Sequence, residues 1–175
     1  MPRFSLVLVA LIGPLALAAC ATQPRITRTA DGKPDLNGIW EAVGSANWNL
    51  EPHNAQGGPV AQLGALGAIP GGLGVVEGDR IPYTAEAAAT RAENKAHWLE
   101  RDPLAKCYMP GVPRATYLPH PFQIIQSPNR MWMVYQFSYA RREIFMNGKK
   151  EAPIDSWMGW SNARWEGDTL VIDVT

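Results

Sequence analysis

From Phe122 onward the sequence follows a period of two, and this pattern constrains the fold more than any other feature. Side chains with this period point alternately to the two faces of a β-strand. Turn-forming residues separate the candidate strands at Pro128-Asn129, at Asn147-Gly148 and at Glu166-Gly167-Asp168. Successive strands joined by short turns predict an antiparallel meander, with a hairpin at Asn147-Gly148. In the strand "RMWMVYQF" one predicted face carries Met131, Met133, Tyr135 and Phe137.

The residues before the meander predict one strand, one insert and one helix. "DLNGIWEA" is typical of a strand, whereas residues 44–79 are rich in Gly, Ala and Pro without a clear period. We interpret residues 44–79 as a flexible insert. A helix is predicted from Ala85 to Arg101, capped by Thr84 and packed through a stripe of small residues. The stripe consists of Ala85, Ala88, Ala92, Ala96 and Leu99.

Four prolines between Pro110 and Pro121 separate the helix from the meander. Proline lacks an amide hydrogen and fixes φ, so this stretch is predicted to be neither a helix nor a central strand. We expect an extended connector that crosses the surface or seals one end of a core. Cys107, just before it, is interpreted as structural.

The N-terminus predicts export. Arg3 precedes an apolar run from Phe4 to Ala19, which is too short and too interrupted for a transmembrane helix. "LAAC" at residues 17–20 resembles a bacterial lipobox, which implies cleavage before Cys20 and acylation of its thiol; ordinary cleavage at an Ala-x-Ala site is the alternative. Because Ala21 follows the cysteine, the resemblance implies an outer-membrane lipoprotein facing the periplasm. A soluble periplasmic or secreted protein is the other possibility.

The length of 175 residues predicts a signal peptide (1–19), a lipidated terminus and tether (20–34) and one β-rich domain (35–175). The formal net charge is zero, so no basic surface favours nucleic acid as a partner. The expected partners are a lipid bilayer and a small hydrophobic ligand. No cofactor is predicted, and the three histidines lack the spacing of a metal site.

Candidate binding residues are polar or aromatic side chains in the connector and the meander. If the face carrying Trp160 points inward, its Arg and Asn side chains are placed to hydrogen-bond an acidic or carbonyl-bearing ligand beside an aromatic ring. If that face points outward, the arginine stacks on an exposed ring. In the connector, an arginine is placed to stabilise negative charge and His120 to act as a general base. The full set is Arg114, Tyr117, His120, Tyr135, Arg142, Trp160, Asn162 and Arg164.

Five blocks of the sequence resemble a family of uncharacterised exported bacterial proteins. They are "DLNGIW", "LEPH", "IPYTAEA", "DPLAKCYMPGVPRATYLPHPFQI" and "WMGWSNARWEGDTLVIDVT". The resemblance covers nearly everything from Thr29 onward and implies no particular activity. Similar proteins continue for several strands after "DVT", so the resemblance implies that this chain is truncated at its C-terminus.

The pattern Gly38-x-Trp40 in the first strand is similar to that of lipocalin-like barrels. Together with the meander, it favours a mainly β fold: a lipocalin-like barrel or half-barrel with one packed α-helix and a Gly/Pro-rich insert. Such barrels hold one small ligand. The first functional hypothesis is therefore binding of a small apolar or amphipathic molecule, and the chain is not expected to be an enzyme. The alternatives are an enzyme that uses Arg114, His120, Arg142 and Asn162, and an envelope scaffold without a ligand.

Overall fold

The computed structural model describes residues 26–146, 148 and 150–175. The predicted signal peptide and the predicted lipidation of Cys20 lie outside these residues. No helix within the described ranges has the length and apolar character needed to cross a membrane.

The fold is mainly β, and six strands form one mixed sheet that curls into a half-barrel. Their order in the sheet is their order in the chain. This confirms the predicted fold class. The strands are β1 (Gly38–Trp40), β2 (Phe122–Gln126), β3 (Arg130–Tyr135), β4 (Arg141–Met146), β5 (Ser161–Glu166) and β6 (Thr169–Val174).

The junction between β4 and β5 differs from the predicted meander. β4 pairs with β5 in parallel, with Ile144 opposite Ser161 and Met146 opposite Ala163. The hairpin predicted at Asn147-Gly148 is therefore wrong. A parallel neighbour requires the chain to return to the end at which the previous strand began, and residues 150–160 belong to that return. The other neighbouring strands pair antiparallel.

The concave face of the half-barrel carries the hydrophobic core. Met131, Met133 and Tyr135 of β3 are buried there, as the period of two predicted, and Ile144 of β4 is fully buried beside them. The remaining buried members of the core are Ala115, Ala140, Met146, Met158 and Ala163.

The proline-rich connector covers part of this core, which confirms its predicted sealing role. Ala115 and Leu118 are buried, and Val112 packs against the core cluster. The predicted extended conformation is wrong, because turns at residues 112, 113 and 117 flank a 3-10 turn, Arg114–Thr116, and bends follow at residues 118–120. Cys107 lies before the connector with an exposed side chain.

The predicted helix is present but is divided at His97 into α1 (Ala85–Ala96) and α2 (Trp98–Arg101). Thr84 caps α1 by accepting a hydrogen bond from the amide of Ala87, as predicted. The predicted alanine stripe is exposed.

The helix instead packs against the insert through a polar residue. Arg91 forms an ion pair with Glu51 at 3.2 Å and lies over the ring of Tyr83. The insert itself is held by two isolated antiparallel bridges, His53 with Gly72 and Gln56 with Ile69. The helix is thereby connected to the insert by charge and hydrogen bonding.

Candidate functional site

The segment before β1 folds over one end of the half-barrel and forms a wall of the candidate site. Arg28 donates two hydrogen bonds to Asp168 in the β5–β6 turn, at 2.8 and 2.7 Å. Gln126, at the end of β2, accepts from the amide of Leu36 at 2.8 Å and donates to the carbonyl of Pro34 at 3.1 Å. These bonds hold residues 28–36 against the sheet.

A cleft of about 400 Å³ lies between this segment and the end of the sheet. Met146 of β4 and Trp165 of β5 form its apolar side, and both side chains belong to the concave face. We call this space the end cleft. Its lining residues are Thr29, Ala30, Asp31, Gln126, Ser127, Pro128, Met146 and Trp165.

Most polar groups of the end cleft are already bonded within the protein. Both polar atoms of the Gln126 side chain are used as described above, and the Ser127 hydroxyl donates to the carbonyl of Arg130 at 2.7 Å. The hydroxyl of Thr29 donates to the carboxylate of Asp31. The end cleft therefore offers an apolar wall and one acidic group at its rim, which suits an apolar or amphipathic guest.

A second feature lies farther along the concave face, where three polar side chains are buried within the core. The side chain of Arg142 is 5% exposed, Ser161 is 1% exposed and Tyr135 is 3% exposed. The Nε of Arg142 donates to the Ser161 hydroxyl at 2.6 Å. We call these three residues the polar cluster.

Burial raises the pKa of the Tyr135 phenol, and the nearby Arg142 charge opposes this increase by lowering it. The phenol hydroxyl points to the sulfur of Met133 at 3.6 Å, which is a weak acceptor. Tyr135 therefore keeps its proton near neutral pH and has a donor that is poorly used. The polar cluster brings together two of the predicted binding residues, Tyr135 and Arg142.

Arg114, another predicted binding residue, is occupied by an ion pair. Its guanidinium donates to both carboxylate oxygens of Asp102, at 2.7 and 3.0 Å. The same carboxylate accepts from the amide of Leu104 at 2.9 Å. The hydrogen bonds from Arg114 lower the pKa of Asp102, although partial burial opposes the shift.

The ion pair of Asp102 with Arg114 should contribute to the free energy of unfolding by an amount that depends on pH. Asp102→Asn should lower the free energy of unfolding by about 1 kcal/mol at pH 7, because the partly exposed ion pair is lost. The folded pKa lies below the ordinary value of Asp, so the contribution is complete above that value and disappears as the pH falls through the folded pKa. Thermal unfolding from pH 7 down to pH 2.5 tests this, with exposed Asp79→Asn as the control. A variant that remains equally destabilised at the lowest pH would contradict it.

Tyr117 and His120 lie half-buried in the connector. The ring of His120 stacks on that of Phe137 with their centroids 5.2 Å apart. The structure thus places His120 in an aromatic contact. Neither residue lines the end cleft.

Trp160, Asn162 and Arg164 lie outside the concave face. Asn162 exchanges two hydrogen bonds of 2.9 Å with the backbone of Lys150. Arg164 is exposed and forms ion pairs with Glu166 and Asp173, both at 2.8 Å. The Trp160 ring stacks on Phe145, with their centroids 4.6 Å apart. The structure therefore does not bring these residues together with Tyr135 and Arg142.

The sequence did not identify the residues of the end cleft or Ser161 as candidate binding residues. Their proximity depends on the parallel pairing of β4 with β5, which places Met146 near Trp165 and Arg142 near Ser161. The sequence signal for these residues was the period of two in "SNARW", but it did not identify the neighbouring strand. Within the described ranges, no group of three or more His, Cys, Asp or Glu side chains is arranged to hold a metal ion.

Comparisons of this chain with protein-family models, with curated proteins and with solved structures found no match.

Proposed function

We propose that the protein binds a small apolar or amphipathic molecule in the end cleft. The observation that carries this proposal is the cavity of about 400 Å³, whose apolar wall of Met146 and Trp165 faces a rim of mostly satisfied polar groups. Ligand sites of this size are typically apolar, with a few polar groups that orient the guest.

An enzyme receives less support from the same geometry. Of the four polar residues proposed for catalysis, Arg114 is paired with Asp102 and Asn162 is bonded to the backbone of Lys150. Arg142 is buried in the core, and His120 lies half-buried in the connector. These groups do not converge on the end cleft. Binding without turnover is therefore the function that we favour.

Filling the end cleft from its exposed side should abolish binding without disturbing the core. Ala30 lines the cleft but lies in an exposed turn, so Ala30→Phe places a ring in the space of the guest. We expect the affinity for the uncharged dye N-phenyl-1-naphthylamine to fall by about tenfold or more, equivalent to ~1.4 kcal/mol. Fluorescence titration of the dye measures this change.

The matched control is Ala89→Phe, which adds the same ring to an exposed position of α1 away from the cleft. This variant should bind the dye as the unaltered protein does. Equal affinity of Ala30→Phe and the unaltered protein would mean that the dye binds elsewhere, and the absence of dye binding in all three would reject the proposal.

We also propose that the protein belongs to an exported family and is anchored through an acylated Cys20, with its folded part in the periplasm. The sequence "LAAC" at residues 17–20 supports this proposal. The mass of the mature N-terminus tests it: a chain that begins at Cys20 and carries acyl groups is expected, and an unmodified cysteine or another cleavage site would contradict it.

A further inference from the structure

The polar cluster holds a buried positive charge, and the part of the chain that the structure describes places no negative charge beside it. Arg142 is 5% exposed, yet no carboxylate of the described residues lies within 4.0 Å of its guanidinium. Unlike Arg142, several arginines of the chain do bond to a carboxylate, and each of these is more exposed than Arg142. They include Arg28, Arg114, Arg130 and Arg164. A buried charge is costly unless it is paired and hydrogen-bonded. Among the described residues, Arg142 therefore has hydroxyl neighbours, Ser161 and Tyr135, but no anionic partner.

The hydrogen-bond donors of Arg142 and of its neighbour Tyr135 indicate which kind of anion would fit here. Ser161 takes the Nε hydrogen, which leaves the two Nη groups at the end of the planar guanidinium. Two parallel Nη donors match the two oxygens of one carboxylate. The Tyr135 oxygen already lies within hydrogen-bonding reach of the Arg142 guanidinium, and its hydroxyl hydrogen, which points only to the Met133 sulfur, supplies a further donor beside Arg142.

The apolar side chains around the polar cluster favour a singly charged anionic group of small size. The core side chains that accompany the cluster are apolar, and they include Met131, Ile144 and Ala163. A weakly polar interior strengthens hydrogen bonds to a charged group, provided that the net charge is small. One guanidinium balances a singly charged carboxylate, whereas a doubly charged phosphate would leave one charge unpaired.

We propose that the polar cluster is a binding site for a carboxylate, with both oxygens bound to the Nη groups of Arg142 and one oxygen also bound to the Tyr135 hydroxyl. The site is separate from the end cleft, because none of the three residues lines that cavity. It therefore goes beyond the proposed function and stands or falls independently of it.

Thermal unfolding of the mature chain at pH 7 tests the site, with acetate as the probe. Acetate at about ten times its dissociation constant should raise the Tm by roughly 3 °C above an equal concentration of chloride. Acetamide, which has the same shape without the charge, should give no increase. Arg142→Met should abolish the acetate effect, and Arg142→Lys, which keeps the charge but loses the planar pair of donors, should reduce it.

Equal acetate effects in the unaltered protein and in Arg142→Met would overturn the proposal, as would the absence of any effect beyond that of chloride. If Arg142→Met does not fold, Tyr135→Phe replaces it, since this change keeps the buried ring and removes only the hydroxyl. We expect Tyr135→Phe to weaken acetate binding about fivefold, and unchanged binding would overturn the proposed site, which includes this hydroxyl. Failure of the dye experiment at the end cleft would leave these outcomes unaffected.

Discussion

Replacing Ile144 by alanine is expected to lower the free energy of unfolding by about 3–4 kcal/mol. Ile144 lies at the middle of β4 with 0% of its surface exposed, and it is directly opposite Met131 on one side and Ser161 on the other. Removal of three carbon atoms here loses their burial and leaves a cavity that the paired backbones on both sides prevent from closing. Chemical denaturation of both proteins measures the difference.

The control is Ile154→Ala, the same substitution at a side chain that is 76% exposed. It should change the free energy of unfolding by less than about 0.5 kcal/mol. Similar values for the two variants would mean that the concave face of β4 is not the centre of the core, and the described half-barrel would then be wrong.

Ser161→Ala should have the second largest effect, a loss of about 2–3 kcal/mol, because it removes the hydroxyl that accepts from the buried Arg142. Arg142→Met is expected to cost less, since it removes the buried charge together with its need for a partner. The double variant should then be more stable than Ser161→Ala alone. A double-mutant cycle by chemical denaturation gives this coupling energy directly.

The comparison variant is Ser156→Ala, whose hydroxyl bonds to the carbonyl of Gly159 in an exposed turn. Water can replace that bond, so the loss should stay near 0.5 kcal/mol. Additive effects of Ser161→Ala and Arg142→Met would show that the two side chains do not interact in solution.

Much of the sheet could be predicted from the sequence, because each strand carries its own signal. The period of two identified β2, β3 and β4, and the turn at Gly167-Asp168 identified the β5–β6 hairpin. The pairing of β4 with β5 could not be derived in this way. Asn147-Gly148 has the local chemistry of a hairpin, but the parallel arrangement rests on pairs of residues distant in sequence, such as Ile144 with Ser161.

The candidate sites were harder to predict for the same reason. Tyr135 and Arg142 were predicted to bind a ligand from their residue types, and they are neighbours in the structure. Arg114 and Arg164 have the same residue type, but each finds a carboxylate that the sequence does not identify as its partner. The end cleft depends on residues 28–36 folding back on the sheet, which no periodic pattern indicated.

The parallel pairing of β4 with β5 also has a consequence for local unfolding of the sheet. Tight turns connect β2 to β3 and β5 to β6, so each hairpin can form by itself, whereas β4 and β5 meet only after a long excursion of the chain. We therefore expect two cooperative units to separate along their line of contact, so that amide hydrogens there exchange earlier than those within either hairpin. Met146 and Trp165 lie on opposite sides of this boundary, as do Arg142 and Ser161, so a single opening along it would widen the end cleft and expose the polar cluster.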